Sequence, residues 1–409
     1  MFWNREKDIE KELQRTIEIS KNRETAIKEC ILALTQYFFI NENKYDPITI
    51  ENIINKLLYL IDGDEVNYTG KFYKGGESIS LVGYHATFKE YRLYKFARYD
   101  IYKQLLLNKT ILENKKNKEL TIWDWFFKRK INDPLIRRWI RGYRIQNILH
   151  HKILSERIIN FYIPKVYNCV KTTEYLYSIQ EFIPHSTIGK NIKHINKITD
   201  KVKIINNILK CIQFIHSYGI IHSDIKPENI LIDKNLNIYL IDFGLAKNLI
   251  NNNKEDNITR IGEMLYTPLY SSINQMYNPK NRDFKDDIYS LGMLILFILH
   301  GGNLPRFYDI TSKTFGEAKK EDINKYVKHL LDKIPKQFQT LILNCINDRN
   351  FHTLNEVLNF WNENILSLFI KEEYNIYISP FQKWLIELGK FISKNIDLTN
   401  FKQFKDFIE

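Results

Sequence analysis

Apolar residues recur at helical spacing over the first sixty positions: Ile9, Leu13 and Ile17, then Ile27, Ile31 and Leu34, with Lys and Glu on the other face. Asp46-Pro47 interrupts the pattern, and Ile53, Ile54, Leu57 and Leu58 resume it. Such faces need burial, so residues 1–62 read as a helical extension packed on the rest of the chain, with partner docking as the alternative. After Asp62 the sequence becomes strand-like, rich in Gly, Tyr and Val, and residues 79–84 and 91–97 read as strands. A basic helical stretch then carries Trp123, Trp125, Phe126 and Phe127 beside Lys128, Arg129 and Lys130. Buried aromatics with solvated basic groups are the preferred reading there; nucleic-acid or membrane contact is the rival. Residues 144–159 predict a helix, 163–167 a strand, and Ile204, Ile208, Ile212 and Ile215 one face of a helix capped by Gly219. Two short apolar runs, 230–232 and 238–241, flank Asp233-Lys234-Asn235 and predict a hairpin. An Asn-rich stretch at 248–257 reads as a mobile loop. An almost wholly apolar helix spans 288–299, further helices 336–364, and an aromatic, amphipathic tail 365–409.

The 409 residues are 44% hydrophobic and 26% charged, which excludes a disordered chain and suffices for two or three domains. A net charge of +12 raises nucleic acid as a partner. The lysines are spread along the chain, however, so a solvated basic face is preferred. Cys30, Cys169, Cys211 and Cys345 lie far apart, without zinc-like spacing, and are expected as free thiols in a reducing compartment. The first fifteen residues are too charged for a secretory signal, and the longest apolar run, 291–299, is about half a membrane span. A cytoplasmic protein without a membrane span is therefore expected.

Chemistry concentrates between His222 and Gly244. Asp224, Asn229 and Asp242 stand at the two ends of the predicted hairpin, where its fold-back brings them around one point. Two carboxylates and an amide carbonyl are hard oxygen ligands, suited to Mg2+ on a nucleotide phosphate. Lys226 adds a positive charge able to neutralise a transferring phosphoryl group.

The run His222-Ser223-Asp224-Ile225-Lys226-Pro227-Glu228-Asn229, with Asp242-Phe243-Gly244 after it, resembles the catalytic and metal loops of eukaryotic-type protein kinases. The resemblance implies an α+β fold of two lobes, one small and β-rich, one large and helical. It implies that Asp224 orients the substrate hydroxyl, that Lys226 contacts the γ-phosphate as in serine/threonine kinases, and that Asn229 and Asp242 hold Mg2+. Ser223 replaces the usual arginine, which puts in doubt control through a phosphorylated activation loop. Gly75 and Gly76 are the candidates for the turn covering the phosphates, with a plain hairpin turn as the alternative. Lys95, 19 residues after Gly76, is preferred as the α/β-phosphate lysine over Lys89 because it lies on the better alternating strand. Glu156 is the choice for that lysine's helical partner, with Glu113 as the other candidate. Gln180 falls at the gatekeeper position, and Glu181 and Ile183 would offer backbone groups to adenine. Asp287 would hydrogen-bond the catalytic-loop backbone.

Thr267-Pro268-Leu269-Tyr270 is continued by Ser271-Ser272-Ile273-Asn274 in place of the usual Ala-Pro-Glu ending. Together with Asp286-Asp287 and Gly302-Asn303-Leu304-Pro305, this is similar to the casein kinase I and vaccinia-related kinase branch. Domains are expected at 1–62 (extension), 63–183 (small lobe, with an insertion at about 99–141), 184–365 (large lobe) and 366–409 (tail). The expected activity is ATP- and Mg2+-dependent transfer to Ser/Thr hydroxyls of protein substrates, acidic or pre-phosphorylated ones among them. A nucleotide-binding pseudokinase scaffold is the alternative, and nucleic acid is the less favoured partner.

Overall fold

The computed structural model describes residues 21–40, 46–63, 65–75, 78–98, 134–250, 267–277, 281–314, 319–332, 334–346 and 350–369. Helix α1 covers residues 21–35 and ends in a π turn, Gln36–Ile40. Asp46 caps α2 (Pro47–Asp62): its carboxylate accepts from Thr49 N at 2.9 Å, and Pro47 takes the first turn, where no N–H partner is needed. Strands β1 (Val66–Lys74), β2 (Ser78–His85) and β3 (Glu90–Ala97) come next. After them lie α3 (Pro134–Ser155), β4 (Phe161–Tyr162), β5 (Val166–Lys171) and β6 (Leu176–Glu181). The main sheet is antiparallel with order β1-β2-β3-β6-β5.

Strand alternation divides the sheet's two faces between packing and chemistry. Ile79, Leu81, Tyr94, Phe96, Tyr177 and Ile179 share one core with Ile27, Ile31, Leu34, Ile54, Leu57 and Leu58 of the two N-terminal helices. Ser78, Ser80, Leu93, Lys95 and Gln180 therefore fall on the opposite face, where they line a cleft. A buried ionic knot joins α2 to β3. Arg92 donates to both Asp62 oxygens at 2.8 and 2.9 Å and to Glu90 at 2.6 and 2.8 Å. On the cleft side, α3 packs Ile136, Trp139 and Tyr143 against Ala97 and Leu176.

The helical lobe begins with β7 (Ser186–Thr187), α4 (Ile188–Asn191) and α5 (Ile198–Ser217). Strands β8 (Ile220–Ile221), β9 (Ile230–Ile232), β10 (Ile238–Leu240) and β11 (Lys247–Asn248) form two small sheets, β4-β10-β9-β7 and β11-β8. Asp233 shapes the β9–β10 turn, accepting from Asn235 N at 2.8 Å and Asn237 N at 2.9 Å. Then come α6 (Ile273–Tyr277), α7 (Phe284–Leu299), α8 (Phe307–Thr311), α9 (Lys320–Leu331), α10 (Lys336–Ile346) and α11 (Leu354–Trp361). Helix α7 is buried along nearly its whole length and starts with a capping box of Asp283 and Asp286. A second compact unit, Asn359–Glu409, is described only over residues 359–369, which are helical. Among the described residues no helix is long and apolar enough to cross a membrane, and all four cysteines are free. This is an α+β fold of two lobes.

Gly76, Glu113, the aromatic stretch at 123–127, most of the 248–257 loop and the tail beyond 369 lie outside the described residues.

Candidate active site

The loop that carries Asp224 is anchored first by a buried carboxylate. Asp287, fully buried in the first turn of α7, accepts from His222 N and Ser223 N at 2.8 Å each and from His216 Nε2 at 2.9 Å. Burial pushes its pKa up, but the hydrogen bond from His216 and the neighbouring donors outweigh this and hold it below the usual range. Ser223 sits in the left-handed region (φ 65°), a conformation that a side chain disfavours. Its carbonyl accepts from Gln275 Nε2 at 2.7 Å, so Asp287 and Gln275 grip that residue from both sides. His222 accepts the Asp224 N–H on Nδ1 (3.3 Å), leaving Nε2 to donate to Ile241 O (3.2 Å), and its ring meets Phe243 edge-on.

Asp224 is held by contacts on both carboxylate oxygens. Lys226 Nζ and Asn229 Nδ2 each lie 2.8 Å from Oδ2, while Thr267 donates to Oδ1 at 2.8 Å and accepts from Lys226 at 3.1 Å. Asn229 also donates to Asp224 O, so its amide nitrogen faces the loop and its Oδ1 is the atom left for a ligand. The β9–β10 hairpin returns the chain to Asp242, itself in the left-handed region (φ 63°) and half-exposed at the cleft. Lys95 Nζ lies 3.9 Å from Asp242 Oδ1. That ammonium, with the Gly244 N–H, holds the Asp242 carboxyl below its ordinary range against the effect of desolvation, so it is ionised at neutral pH.

A cleft of about 650 Å3 runs between these groups and the sheet. Its lining includes Lys95, Asp224, Lys226 and Asp242, and with them Gln180, Glu181 and Ile183. In the strand leading out of β6, Phe182 N donates to Tyr91 O at 3.1 Å; alternation turns Glu181's backbone the other way, where its N–H reaches Lys165 O. Among the described residues no three His, Cys, Asp or Glu side chains gather to cage a metal. Asp242 and Asn229 offer two oxygen donors, which fits a Mg2+ ion that takes its remaining ligands from phosphate and water.

Of the residues singled out from sequence, Asp224, Lys226, Asn229, Asp242, Lys95, Glu181 and Ile183 come together at the cleft. Lys89 does not: it is an exposed turn residue with φ 52°. Gly75 lies in the β1–β2 turn, its N–H on Ser78 O at 2.8 Å, and does not line the cleft. Glu156 is a correction. The helix expected over 144–159 runs instead from Pro134 to Ser155, so Glu156 falls in the turn after it, bonded to Tyr218 OH. The helix faces the cleft through Arg138, Trp139, Gly142, Tyr143 and Gln146. Fourteen residues separate Gly142 from Glu156, about 20 Å at helical rise, which is too far for Glu156 to meet Lys95. The group that α3 brings over Lys95 is the Trp139 ring, 5.2 Å from Nζ.

Sequence reasoning missed Gly142, Gln146 and Gln275, and it read Thr267 only as the start of the Thr267–Tyr270 run, not as a partner of Asp224. Gly142 had a visible signal, a glycine inside an amphipathic helix. A Cβ there would stand 2.5 Å from Phe243 O, so only glycine lets α3 approach the Asp242–Gly244 turn this closely.

A profile of the protein kinase domain matches residues 143–358. The chain is similar to the dual specificity protein kinase zak2 of Dictyostelium discoideum, 31% identical over 159 residues, covering 38% of the chain and 24% of that protein. It is also similar to a probable serine/threonine-protein kinase of the same organism, 30% identical over 205 residues, 44% of the chain and 43% of the relative. The probable serine/threonine-protein kinase PknB of Lactococcus lactis is 30% identical over 173 residues, 41% and 26%. The chain thus spans less than half the length of these curated relatives.

Proposed function

The chain belongs to the protein kinase family, and from that premise we propose that it transfers the γ-phosphoryl group of ATP to Ser or Thr hydroxyls of protein substrates. The observation that carries this reading is the convergence of Asp224, Lys226, Asn229, Lys95 and Asp242 on one cleft. Asp224 orients the attacking hydroxyl and takes its proton as the new O–P bond forms and the bond to the β-phosphate oxygen breaks. Lys226 sits within 2.8 Å of Asp224 and offers positive charge to the phosphoryl oxygens. Lys95 lies at the α/β-phosphate end, with Asp242 and Asn229 as the metal-holding oxygens. Mg2+, when bound, neutralises phosphate charge. Glu181 and Ile183 offer backbone groups to the base.

The likeness to the casein kinase I and vaccinia-related kinase branch is part of this proposal, and with it a preference for acidic or pre-phosphorylated substrates, which a charge of +12 favours. The relatives named above come from other branches. A second reading, a nucleotide-binding scaffold without turnover, is favoured by one observation: an indole ring is what α3 packs over Lys95.

The test is transfer from labelled Mg-ATP to the chain itself and to mixed protein substrates. Transfer by wild type, lost in Asp242→Asn and Lys95→Met, is the expected result. ATP binding with no transfer in wild type would leave the scaffold reading in its place.

A further inference from the structure

The back wall of the cleft holds a relay of side-chain hydrogen bonds with no part in phosphoryl transfer. Gln146 of α3, 2% exposed, donates through Nε2 to Pro164 O at 2.9 Å and to Gln180 Oε1 at 3.1 Å. A main-chain carbonyl only accepts, so Pro164 fixes which end of the Gln146 amide is nitrogen. That nitrogen's second hydrogen meets Gln180, whose facing atom is therefore oxygen. The Gln180 amide is thus oriented from a backbone group through two bonds. Its Oε1 is engaged, and its Nε2 has no protein partner among the described residues.

Gln180 lines the cleft directly before Glu181 and Ile183, opposite Leu93 of β3. A glutamine free at both ends reads adenine as a pair, N–H to N7 and oxygen to the N6 amine; guanine shows two acceptors, N7 and O6, along the same edge. With Oε1 turned to Gln146, Gln180 offers donors. Donors match guanine at both atoms and adenine at N7 alone.

We propose that the cleft accepts guanine as well as adenine nucleotides, so that GTP serves as a phosphoryl donor, and that Gln180, oriented by Gln146, is the residue that admits it. This rests on the phosphotransferase reading above. The donor changes; the chemistry at Asp224 does not.

The experiment measures binding of Mg-ATP, Mg-GTP and Mg-CTP to the full chain by calorimetry, with labelled transfer from each. GTP is expected to bind within about tenfold of ATP, and CTP far more weakly. Gln180→Leu and Gln180→Glu should each raise the GTP-to-ATP Kd ratio about tenfold or more, the glutamate by presenting acceptors only. Gln146→Leu should move the ratio the same way, by freeing the amide to turn its oxygen toward N6. Each ratio is internal to one preparation, so partial misfolding cancels. Wild type binding ATP but GTP about a hundredfold more weakly, or a ratio unchanged in all three variants, would overturn this inference and leave the kinase reading intact. Binding of no nucleotide would overturn both.

Discussion

Asp287→Asn isolates what holds the catalytic loop, because it keeps the side chain's shape and removes its charge. Three donors converge on the two carboxylate oxygens: His222 N and His216 Nε2 on Oδ2, and Ser223 N on Oδ1. The asparagine is best placed with its oxygen toward the first two, which sets its NH2 against the Ser223 N–H. A buried N–H left without an acceptor costs about 1–3 kcal/mol. The two remaining bonds lose their charge assistance, about 1 kcal/mol more in total. The expected loss is about 2–4 kcal/mol, read as a lower urea midpoint by tryptophan fluorescence, and Asp287→Ala should lose more, since it orphans every donor. Transfer should fall more steeply than stability, because Ser223 at φ 65° relaxes once its N–H is released. The charge also predicts a pH dependence. The folded carboxyl is held below its unfolded value of about 3.9, so its stabilisation is complete above roughly pH 4–5 and is lost as pH falls through the folded value. Asp287→Asn should therefore narrow its gap to wild type on acidification. A loss below about 1 kcal/mol at neutral pH, or a gap that stays constant down to about pH 2, would refute the assignment.

Two further outcomes discriminate between readings of α3. Gly142→Ala gains about 1 kcal/mol of helix propensity but drives a methyl to 2.5 Å from the Phe243 carbonyl, where backbone must move at a cost of about 1–3 kcal/mol. Overpacking should win, with transfer down about tenfold; a variant that is more stable and equally active would show that α3 does not press on the Asp242–Gly244 turn. Among the described residues Glu156→Gln touches only the contact with Tyr218, so transfer and ATP affinity should stay within about twofold of wild type; a loss above about tenfold would return Glu156 to the site.

What the sequence made legible was chemistry packed into short, contiguous stretches. Between His222 and Gly244 the spacing of two apolar runs and the Asp233 turn dictates a register, Ile238 against Ile232, that itself carries Asp242 back toward Asp224. Lys95 is separable from Lys89 for a similar reason, since alternation with Tyr94 and Phe96 forces it to the face opposite the core. Contacts made across long separations leave no such trace. Thr267 meets Asp224 across 43 residues, and Gln275 reaches Ser223 across 52. Neither pairing has a period to betray it. The failure of Glu156 has a related physical origin. Its charge recommends it on a helix that the sequence pattern starts about ten residues too late, and charge says nothing about distance along an axis. Once α3 begins at Pro134, helical geometry aims Trp139, Gly142, Tyr143 and Gln146 at the cleft, at spacings close to one turn. That stripe is present in the sequence. It reads as packing because its members are a tryptophan, a glycine, a tyrosine and an amide, residue types that look structural until the cleft they face is known.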